Sequence, residues 1–442
     1  MDFFVKISIL YKRQFLLIFT IKILFMLKSH QTLLLCSFLI NLSTLSFGQI
    51  KEVDPPQDIK TITFGGQKDY AMLPIINLNE RIFLEFDVLN NLEEDFYYVI
   101  EHFDYDWTPS PLMKAEYLSG MDNLRIIDYE NSFNTYQIYS HYRLQIPNPQ
   151  TRLKVSGNYL IKIFDENDTL VFNRKFMVKE EQVGVWVQVK RSRNVAMINE
   201  AQSIDFSIKA NTINLNNPAQ TVKTVVVQNN NLKTAIYDLK PQYVLGNELV
   251  YRYNEASLFW GGNEYLFFEN KEVRSANLGV QYIDLQDLYH SYLYTDIDRS
   301  RRKYTFNPDI NGGFKITVLD RDDPSIEADY TYVHFSLLTN EFTNESVYVY
   351  GGFNNFSISD ENKMVYNTNK NVYELSMLMK QGFYNYKYVV VDQNDTLSEG
   401  RISGNFDETE NNYKVIVYYR DLGARYDKII GLGEANSVQI TN

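Results

Sequence analysis

The sequence contains very little cysteine and tryptophan, with one cysteine and three tryptophans in 442 residues. A single cysteine excludes a disulfide framework and any metal site built from thiolates. Helical periodicity is also scarce. The best helical pattern would cover only about three turns, with Asp284 as a candidate N-cap for Leu285, Leu288, Tyr289 and Tyr292.

Aromatic residues other than tryptophan are abundant, with 34 Tyr and 28 Phe, and 45% of all residues are hydrophobic. This apolar content excludes a disordered or low-complexity chain, which could not fill a core. Tyr and Phe favour strands because their flat rings pack on a pleated surface. At roughly 100–200 residues per domain, the length indicates two to four domains. We therefore expect a soluble, β-rich protein of several domains.

The amino terminus carries the features of an export signal. Lys28 precedes an apolar run over residues 33–47, and Ser46-Phe47-Gly48 places small residues before Gln49. This order is typical of a secretory signal peptide. We expect residues 1–48 to be the signal together with an upstream extension, with translation starting at Met26.

A second apolar stretch, residues 15–27, is interrupted by Lys22. Neither stretch reaches the roughly 18 uncharged residues of a spanning helix, although an anchor made by both together is the alternative. Cys36 follows Leu35 rather than the small residue of a lipoprotein signal. Cys36 is therefore expected to leave with the signal peptide.

Removing residues 1–48 deepens the acidic charge. Five basic residues and one acid lie there, so the net charge changes from −12 to −16. Such a chain repels phosphate backbones, which argues against a nucleic-acid partner. The basic residues Arg299, Arg301, Arg302 and Lys303 cluster, and we interpret them as a solvated strand edge or as salt-bridge partners of nearby acids.

Two segments of the chain repeat one pattern. Residues 157–170 and 382–397 each open with Gly, continue with Tyr and Lys at fixed places, and close on Asn-Asp-Thr-Leu. Asn and Asp tolerate the left-handed turn conformation. The pattern is typical of the last hairpin of an immunoglobulin-like sandwich, and chance similarity of two hairpins is the alternative.

These patterns predict an all-β, multi-domain protein of immunoglobulin-like β-sandwiches. We expect an N-terminal sandwich over residues 49–180, a middle β-rich domain over residues 181–327, a C-terminal sandwich over residues 328–425 and a tail over residues 426–442.

Candidate chemistry is sparse. The sequence has no nucleophile elbow, P-loop or dinucleotide fingerprint, and His102, His141, His290 and His334 are not paired at helical metal-binding spacing. Residues 307–312 resemble the start of a calcium loop, but Val318 stands where its bidentate Glu belongs.

Two acidic groups, Asp104 with Asp106 and Asp320 with Asp322 and Asp323, could serve a glycosidase only if they faced each other across a cleft. Acidic loops are the simpler interpretation. We assign no catalytic, cofactor-binding or metal residues and expect no enzyme.

Several segments together resemble a known family. These are residues 102–110, 116–120, 131–135, 139–142, 146–148, 156–159, 307–312 and 327–335, beginning with His102-Phe103-Asp104-Tyr105-Asp106-Trp107. Their order resembles the type IX secretion system plug proteins of Bacteroidota. The resemblance implies a non-enzymatic periplasmic plug that caps the closed SprA-type giant outer-membrane β-barrel translocon. It implies no catalytic residues, no cofactor and no nucleic-acid partner, and a place at the inner face of the outer membrane.

The predicted C-terminal sandwich suggests an alternative function. Residues 347–356 and 382–389 resemble an early-set (E-set) domain of the kind that binds glycans. Such modules stack sugars on tryptophan, but Phe356 stands at that position and no Trp follows Trp260. A carbohydrate-binding envelope protein is therefore the second hypothesis.

Overall fold

The computed structural model describes residues 50–66, 73–90, 92–438 and 440. The predicted signal peptide, its start at Met26 and Cys36 lie outside these residues. The described chain is all-β, as predicted, and its α-helices are single turns of four residues. Within these residues, no helix combines the length and the hydropathy that crossing a membrane requires.

The N-terminal part folds as a first sandwich of two antiparallel sheets. One sheet has the order β1-β3-β8-β7, and the facing strands have the order β11-β10-β4-β6. Alternate residues of β3, such as Leu84 and Phe86, are buried between the sheets because successive side chains of a strand point to opposite faces. The elements are β1 (Ile59–Gly66), β2 (Ile75–Asn77), β3 (Ile82–Val88), β4 (Tyr97–Phe103), α1 (Lys114–Tyr117), β5 (Leu118–Gly120), β6 (Leu124–Arg125), β7 (Asp128–Asn131), β8 (Ser140–Ile146), β9 (Thr151–Leu153), β10 (Gly157–Phe164) and β11 (Leu170–Lys179).

The next eighty residues form most of a middle sandwich. Its first sheet has the order β12-β13-β17-β16, with β18 beside β13. Ile204, Phe206 and Ile208 of β13 are buried in the core of this sandwich. The elements are β12 (Val183–Arg191), a 3-10 turn (Val195–Met197), β13 (Ala201–Ala210), α2 (Pro218–Thr221), β14 (Val222–Gln228), β15 (Asn231–Tyr237), β16 (Tyr243–Leu245), β17 (Glu248–Tyr251) and β18 (Leu258–Trp260).

Residues 261–407 form a third sandwich. Strand β28 lies at the centre of one sheet, and the other has the order β20-β21-β24-β27-β26. The elements are β19 (Leu266–Glu269), β20 (Val280–Leu285), β21 (Tyr289–Leu293), β22 (Asp296–Ile297), β23 (Phe314–Ile316), α3 (Pro324–Glu327), β24 (Tyr330–Leu338), β25 (Ser346–Tyr350), 3-10 turns (Gly352–Asn354 and Asp360–Asn362), β26 (Val365–Asn367), β27 (Val372–Lys380), β28 (Gly382–Val391), β29 (Leu397–Ser398) and α4 (Gly400–Ser403).

The C-terminal residues return to the middle sandwich. Strands β30 (Asn412–Tyr419) and β31 (Lys428–Asn436) form a hairpin whose β30 pairs with β14. The core of the middle sandwich accordingly joins residues 183–259 to residues 413–430. Strand β31 also pairs with β11, which makes one nine-stranded sheet run through the first and middle sandwiches.

This return corrects the sequential boundaries. Residues 412–436 belong to the middle sandwich rather than to a last domain over 328–425 and a tail over 426–442, and the third sandwich begins near residue 261 rather than at 328. Local periodicity shows that a segment is a strand but does not show which distant strand it pairs with.

The predicted helix near Asp284 is wrong. Residues 280–285 and 289–293 are the strands β20 and β21 of a hairpin, in which Leu285 pairs with Tyr289. The spacing of three and four residues that predicted the helix has another origin. It arises because Leu285 ends one strand, Tyr289 begins the next, and a short turn joins them. In β21, Tyr289, Ser291 and Leu293 are buried alternately, which is the strand period of two.

The repeated pattern is confirmed as two matching turns. Asp165 Oδ1 accepts hydrogen bonds from the backbone N–H groups of residues 167 and 169, and Asp392 Oδ1 accepts them from residues 394 and 396. Asp168 and Asp395 take the left-handed conformation with φ of 59° and 58°. Each turn closes a hairpin, between β10 and β11 in the first sandwich and between β28 and β29 in the third.

Glycines allow the two sheets of the middle sandwich to approach closely. A Cβ at Gly433 would lie 2.6 Å from methyl groups of Val185 and Val187, whereas a Cβ at Gly184 would meet only the Lys209 carbonyl, at 4.0 Å. We predict that Gly433→Ala lowers the free energy of unfolding by about 1–3 kcal/mol through overpacking. Gly184→Ala is the matched control and should leave it unchanged or slightly higher. Urea denaturation measures both, and equal effects would contradict the prediction.

Candidate functional site

The four histidines of residues 49–442 lie in three separate places in the structure. His102 lies in the first sandwich against Ser110 and Ser156, and His141 binds Asp87. His290 and His334 are hydrogen-bonded neighbours, with 2.8 Å between Nδ1 and Nε2. Among the described residues, no three His, Cys, Asp or Glu side chains converge in a way that could hold a metal ion.

The acidic groups stabilise local structure. Asp106 accepts hydrogen bonds from the backbone and hydroxyl of Thr108, and Asp323 caps the first turn of α3 through Ser325 N. Asp104 forms an ion pair with Arg420. The two groups lie in different sandwiches, Asp104 and Asp106 in the first and Asp320, Asp322 and Asp323 in the third.

A buried ion pair joins the first sandwich to the third. Lys380 Nζ of β27 lies 2.6 Å from Asp87 Oδ2 of β3, and both side chains are 1% exposed. Tyr330 OH donates a hydrogen bond to the same oxygen, at 2.6 Å, and His141 Nδ1 lies 2.7 Å from Asp87 Oδ1. Sequence analysis missed this cluster, because its members are up to 293 residues apart.

Electrostatics keeps this carboxylate charged. Burial by itself would raise the pKa of Asp87, but the charge of Lys380 and the hydrogen bonds from His141 and Lys380 outweigh it, so the pKa lies below its usual range. Lys380 Nζ also donates to the Ser325 carbonyl and lies 4.1 Å from the centre of the Tyr139 ring. The ammonium group thus exchanges water for a carboxylate, a carbonyl and an aromatic face.

The loop over residues 132–139 of the first sandwich also contacts the third sandwich at this junction. Asp329 accepts hydrogen bonds from the backbone N–H groups of Tyr136 and Gln137, and Phe133 N donates to the Ile326 carbonyl. Tyr139 OH donates to the Ala328 carbonyl. Residues 131–135, 139–142 and 327–335, which carry the family resemblance, therefore meet at this junction.

A second junction joins the first and middle sandwiches. Arg420 binds Asp427 through two nitrogens, at 2.9 and 2.8 Å, and its Nη2 lies 2.7 Å from Asp104. Asn158 accepts a hydrogen bond from Tyr418 OH, at 2.7 Å.

Gly157, beside this junction, packs directly on His102, since a Cβ on Gly157 would lie 2.3 Å from the imidazole Nε2. Burial lowers the pKa of His102 to about 4, so this histidine is neutral at pH 7.

A third junction joins the middle and third sandwiches around two carboxyl groups. Glu264 accepts hydrogen bonds from Tyr304 OH and Glu410 N, and Asp309 accepts them from Tyr265 N and Asn311 N. Burial, together with the neighbouring Glu264, raises the pKa of Asp309 to about 7. Within residues 307–312, Asp309 thus binds the backbone of its own loop through Asn311 N.

The four residues of the basic cluster at 299–303 differ in their surroundings. Arg299 donates a hydrogen bond to the Glu264 carbonyl, at 2.9 Å, and so belongs to the third junction. Arg301, Arg302 and Lys303 are exposed.

Two groups of three tyrosines differ in their exposure to solvent. Tyr384, Tyr386 and Tyr388 of β28 are buried in the core of the third sandwich. In the other triplet only Tyr289 is buried, whereas Tyr292 lies on the outer face of its sheet and Tyr294 is 59% exposed.

Five rings form an outer aromatic band on the third sandwich. Tyr282 stacks on Tyr292 with 4.3 Å between centroids, and Tyr292 stacks on His334 at 4.1 Å. His290 continues the band to Tyr332 at 5.1 Å. These rings cross three neighbouring strands, β20, β21 and β24, and form an aromatic surface that is partly open to solvent.

The position expected to stack sugars is closed. Phe356 is 3% exposed and packs against Tyr350, and its carbonyl accepts a hydrogen bond from Lys233 of β15. Its ring cannot lie against a glycan in this structure, so the E-set resemblance is one of fold rather than of a sugar-binding surface.

The described chain is thus an all-β protein of three sandwiches, each joined to the other two by buried polar contacts. Residues 59–180 match the model of the type 9 secretion system plug protein 1st domain. The chain belongs to the type IX secretion system plug protein family. It is therefore a component of that secretion machinery, located in the cell envelope.

The whole fold is also found in a solved structure. A hypothetical protein from Parabacteroides merdae ATCC 43184, determined by crystallography at 2.30 Å resolution, is 34% identical in sequence. The match has a TM-score of 0.84 and covers 88% of this chain and 99% of that one. No curated protein matches the chain.

The buried ion pair gives a direct test of the first junction. Lys380→Met leaves Asp87 buried without its cation, so we predict a loss of about 3–5 kcal/mol in the free energy of unfolding. Adding Asp87→Asn should restore most of that loss, because the uncompensated charge is then removed. Lys370→Met, which breaks an exposed ion pair with Glu374, is the control and should have no measurable effect. Urea denaturation followed by tryptophan fluorescence measures all four proteins.

The third junction should make stability depend on pH. The folded-state pKa of Asp309 is raised, so its contribution is full below pH 4 and is lost as the pH rises towards 7. In Glu264→Gln the neighbouring negative charge is absent, so the variant should be more stable than the wild type at pH 8, by about 1 kcal/mol, and equal to it at pH 5. Thermal melts at both pH values decide this, with Glu255→Gln on the surface as control. An equal change at both pH values would contradict the assignment.

Proposed function

We propose that this protein is the non-enzymatic periplasmic plug of a SprA-type giant outer-membrane β-barrel translocon. It caps the periplasmic end of the barrel while the lateral gate is closed, which seals the pore between transport events. When a substrate opens the gate, the plug leaves.

The observation that carries the proposal is the fixed arrangement of three sandwiches in a plug-family chain. A plug must block a wide opening without deforming into it, so its domains must not move independently. Domains joined only by linkers and small polar contacts are expected to move relative to one another. Here a continuous nine-stranded sheet joins the first and middle sandwiches, and buried charges close the other two junctions.

Reversible capping requires a surface that also tolerates water. Tyrosine and histidine suit this requirement, since each combines a flat apolar ring with a polar group. The outer aromatic band offers five such rings on one sheet face. We propose this band as the face that meets the barrel, with aromatic anchors surrounded by polar residues.

The proposed location follows from the amino terminus. A Sec-type signal peptide ending before Gln49 would export the chain to the periplasm, where it stays peripheral to the inner face of the outer membrane. The acidic charge and the absence of cysteine from residues 49–442 suit a soluble protein of an oxidising compartment.

The absence of cysteine also makes the test simple. A single cysteine replacing Tyr282 in the band carries a benzophenone maleimide, and Val195→Cys, on the exposed surface of the middle sandwich, is the matched control. We predict that irradiation of intact cells crosslinks the barrel to position 282 and not to position 195. Crosslinks from position 195 alone would overturn the choice of face.

A deletion strain tests the sealing role separately. Loss of the gene should leave secretion working and make the outer membrane permeable to large hydrophilic molecules, such as a high-molecular-weight glycopeptide antibiotic. If the tagged protein co-purified with starch or peptidoglycan and never with the barrel, the plug assignment would fail and the carbohydrate-binding alternative would replace it.

A further inference from the structure

A cleft lies between the first and third sandwiches, next to the buried ion pair. It has two adjoining lobes of about 250 and 260 Å³. Both lobes are lined by Ile62 of β1, Phe314 of β23 and Phe353 of the 3-10 turn after β25. Its combined size is within the range of small-molecule sites, and such sites often lie between domains.

One buried cation stands between the two lobes. Arg174 of β11 lines both of them and is 8% exposed. Its Nη1 donates to the backbone carbonyls of Asn173 and Val53, at 2.7 and 3.4 Å. Its other nitrogens have no hydrogen-bond partner among the described residues, and no described carboxylate lies within ion-pair distance of it.

Buried charges are normally paired, whereas Arg174 has no ion pair. Its guanidinium carbon lies 5.4 Å from the centre of the Phe172 ring, and Glu52 and Asp54 act on its charge from a longer distance. Three acids around the cleft have other partners: Glu85 binds Arg143, Glu361 binds Lys60 and Asp54 binds Ser357. Glu52, the other acid that acts on Arg174, binds Lys175 N and Asn355 Nδ2. The guanidinium therefore keeps hydrogen-bond donors for a ligand, in a cleft whose lining combines apolar side chains with charged and polar ones.

The backbone is strained at the same place. Thr61 lines both lobes and has φ of +52° at a bulge in β1. A positive φ is a genuine outlier for a β-branched residue, and such strain concentrates at ligand-binding positions. The bulge bends β1 beside the cleft, while Thr61 Oγ1 reaches Tyr330 OH at 2.6 Å.

We propose that this cleft binds an aliphatic carboxylic acid. The carboxylate accepts hydrogen bonds from the free nitrogens of Arg174, and the chain lies against Ile62, Phe314 and Phe353. A guanidinium matches a carboxylate in geometry and gives a charge-assisted hydrogen bond, which is strong where water is excluded. The apolar walls recognise the chain, and the cation recognises its end.

Binding of dodecanoate to the purified protein tests the proposal. Isothermal titration calorimetry should show one binding site for dodecanoate. Dodecanol, which lacks the charge, should bind at least roughly tenfold more weakly than dodecanoate. Arg174→Met should bind dodecanoate as weakly as the wild type binds dodecanol. Arg302→Met is the control: Arg302 is exposed and lines neither lobe of the cleft, so its loss should leave the affinity unchanged.

A second variant covers the case in which Arg174→Met does not fold. Ile62→Trp fills the space between the lobes and should abolish binding while Arg174 remains. The proposal is overturned if dodecanoate does not bind, if dodecanol binds equally well, or if Arg302→Met loses as much affinity as Arg174→Met. None of these outcomes bears on capping of the barrel, which the crosslinking experiment measures independently.

Discussion

The arrangement of the molecule depends on the cost of burying Asp87 and Lys380 together. Each charge is stable away from water only while the other is present, and they come from different sandwiches. Shifting the first sandwich along the third while the two stay in contact would leave each ion buried without its partner. Tyr330, His141 and Tyr139 surround the pair and fix the angle at which the two sandwiches meet.

The other two junctions also hold sandwiches together through buried polar groups, but the groups differ. Arg420 holds two aspartates between the first and middle sandwiches, and Glu264 and Asp309 form a carboxyl cluster between the middle and third. Polar contacts of this kind need defined geometry, whereas apolar surfaces can slide past one another. Three such junctions in one chain make its outer surface a fixed shape, and this property links the fold to the plug family.

The sequence predicted what depends on neighbouring residues and missed what depends on distant ones. The Asn-Asp turns after β10 and β28 were predictable because a turn is decided by a few consecutive side chains. The domain boundaries and the hairpin at residues 280–293 were not, since strand pairing joins residues far apart. Residues 139–142 and 327–335 both contribute to the family resemblance, but only the structure shows that they meet, through the hydrogen bond from Tyr139 OH to the Ala328 carbonyl.

The return of β30 and β31 to the middle sandwich has a consequence for biogenesis. A chain that is made or exported amino terminus first exposes β12 to β18 well before the hairpin that covers them. The middle sandwich therefore stays open until residues 412–436 arrive, and Val226 and Ile208 remain accessible to water or to a chaperone during that time. The first sandwich, whose strands all lie before residue 180, can close earlier, so the two parts of the nine-stranded sheet form at different times.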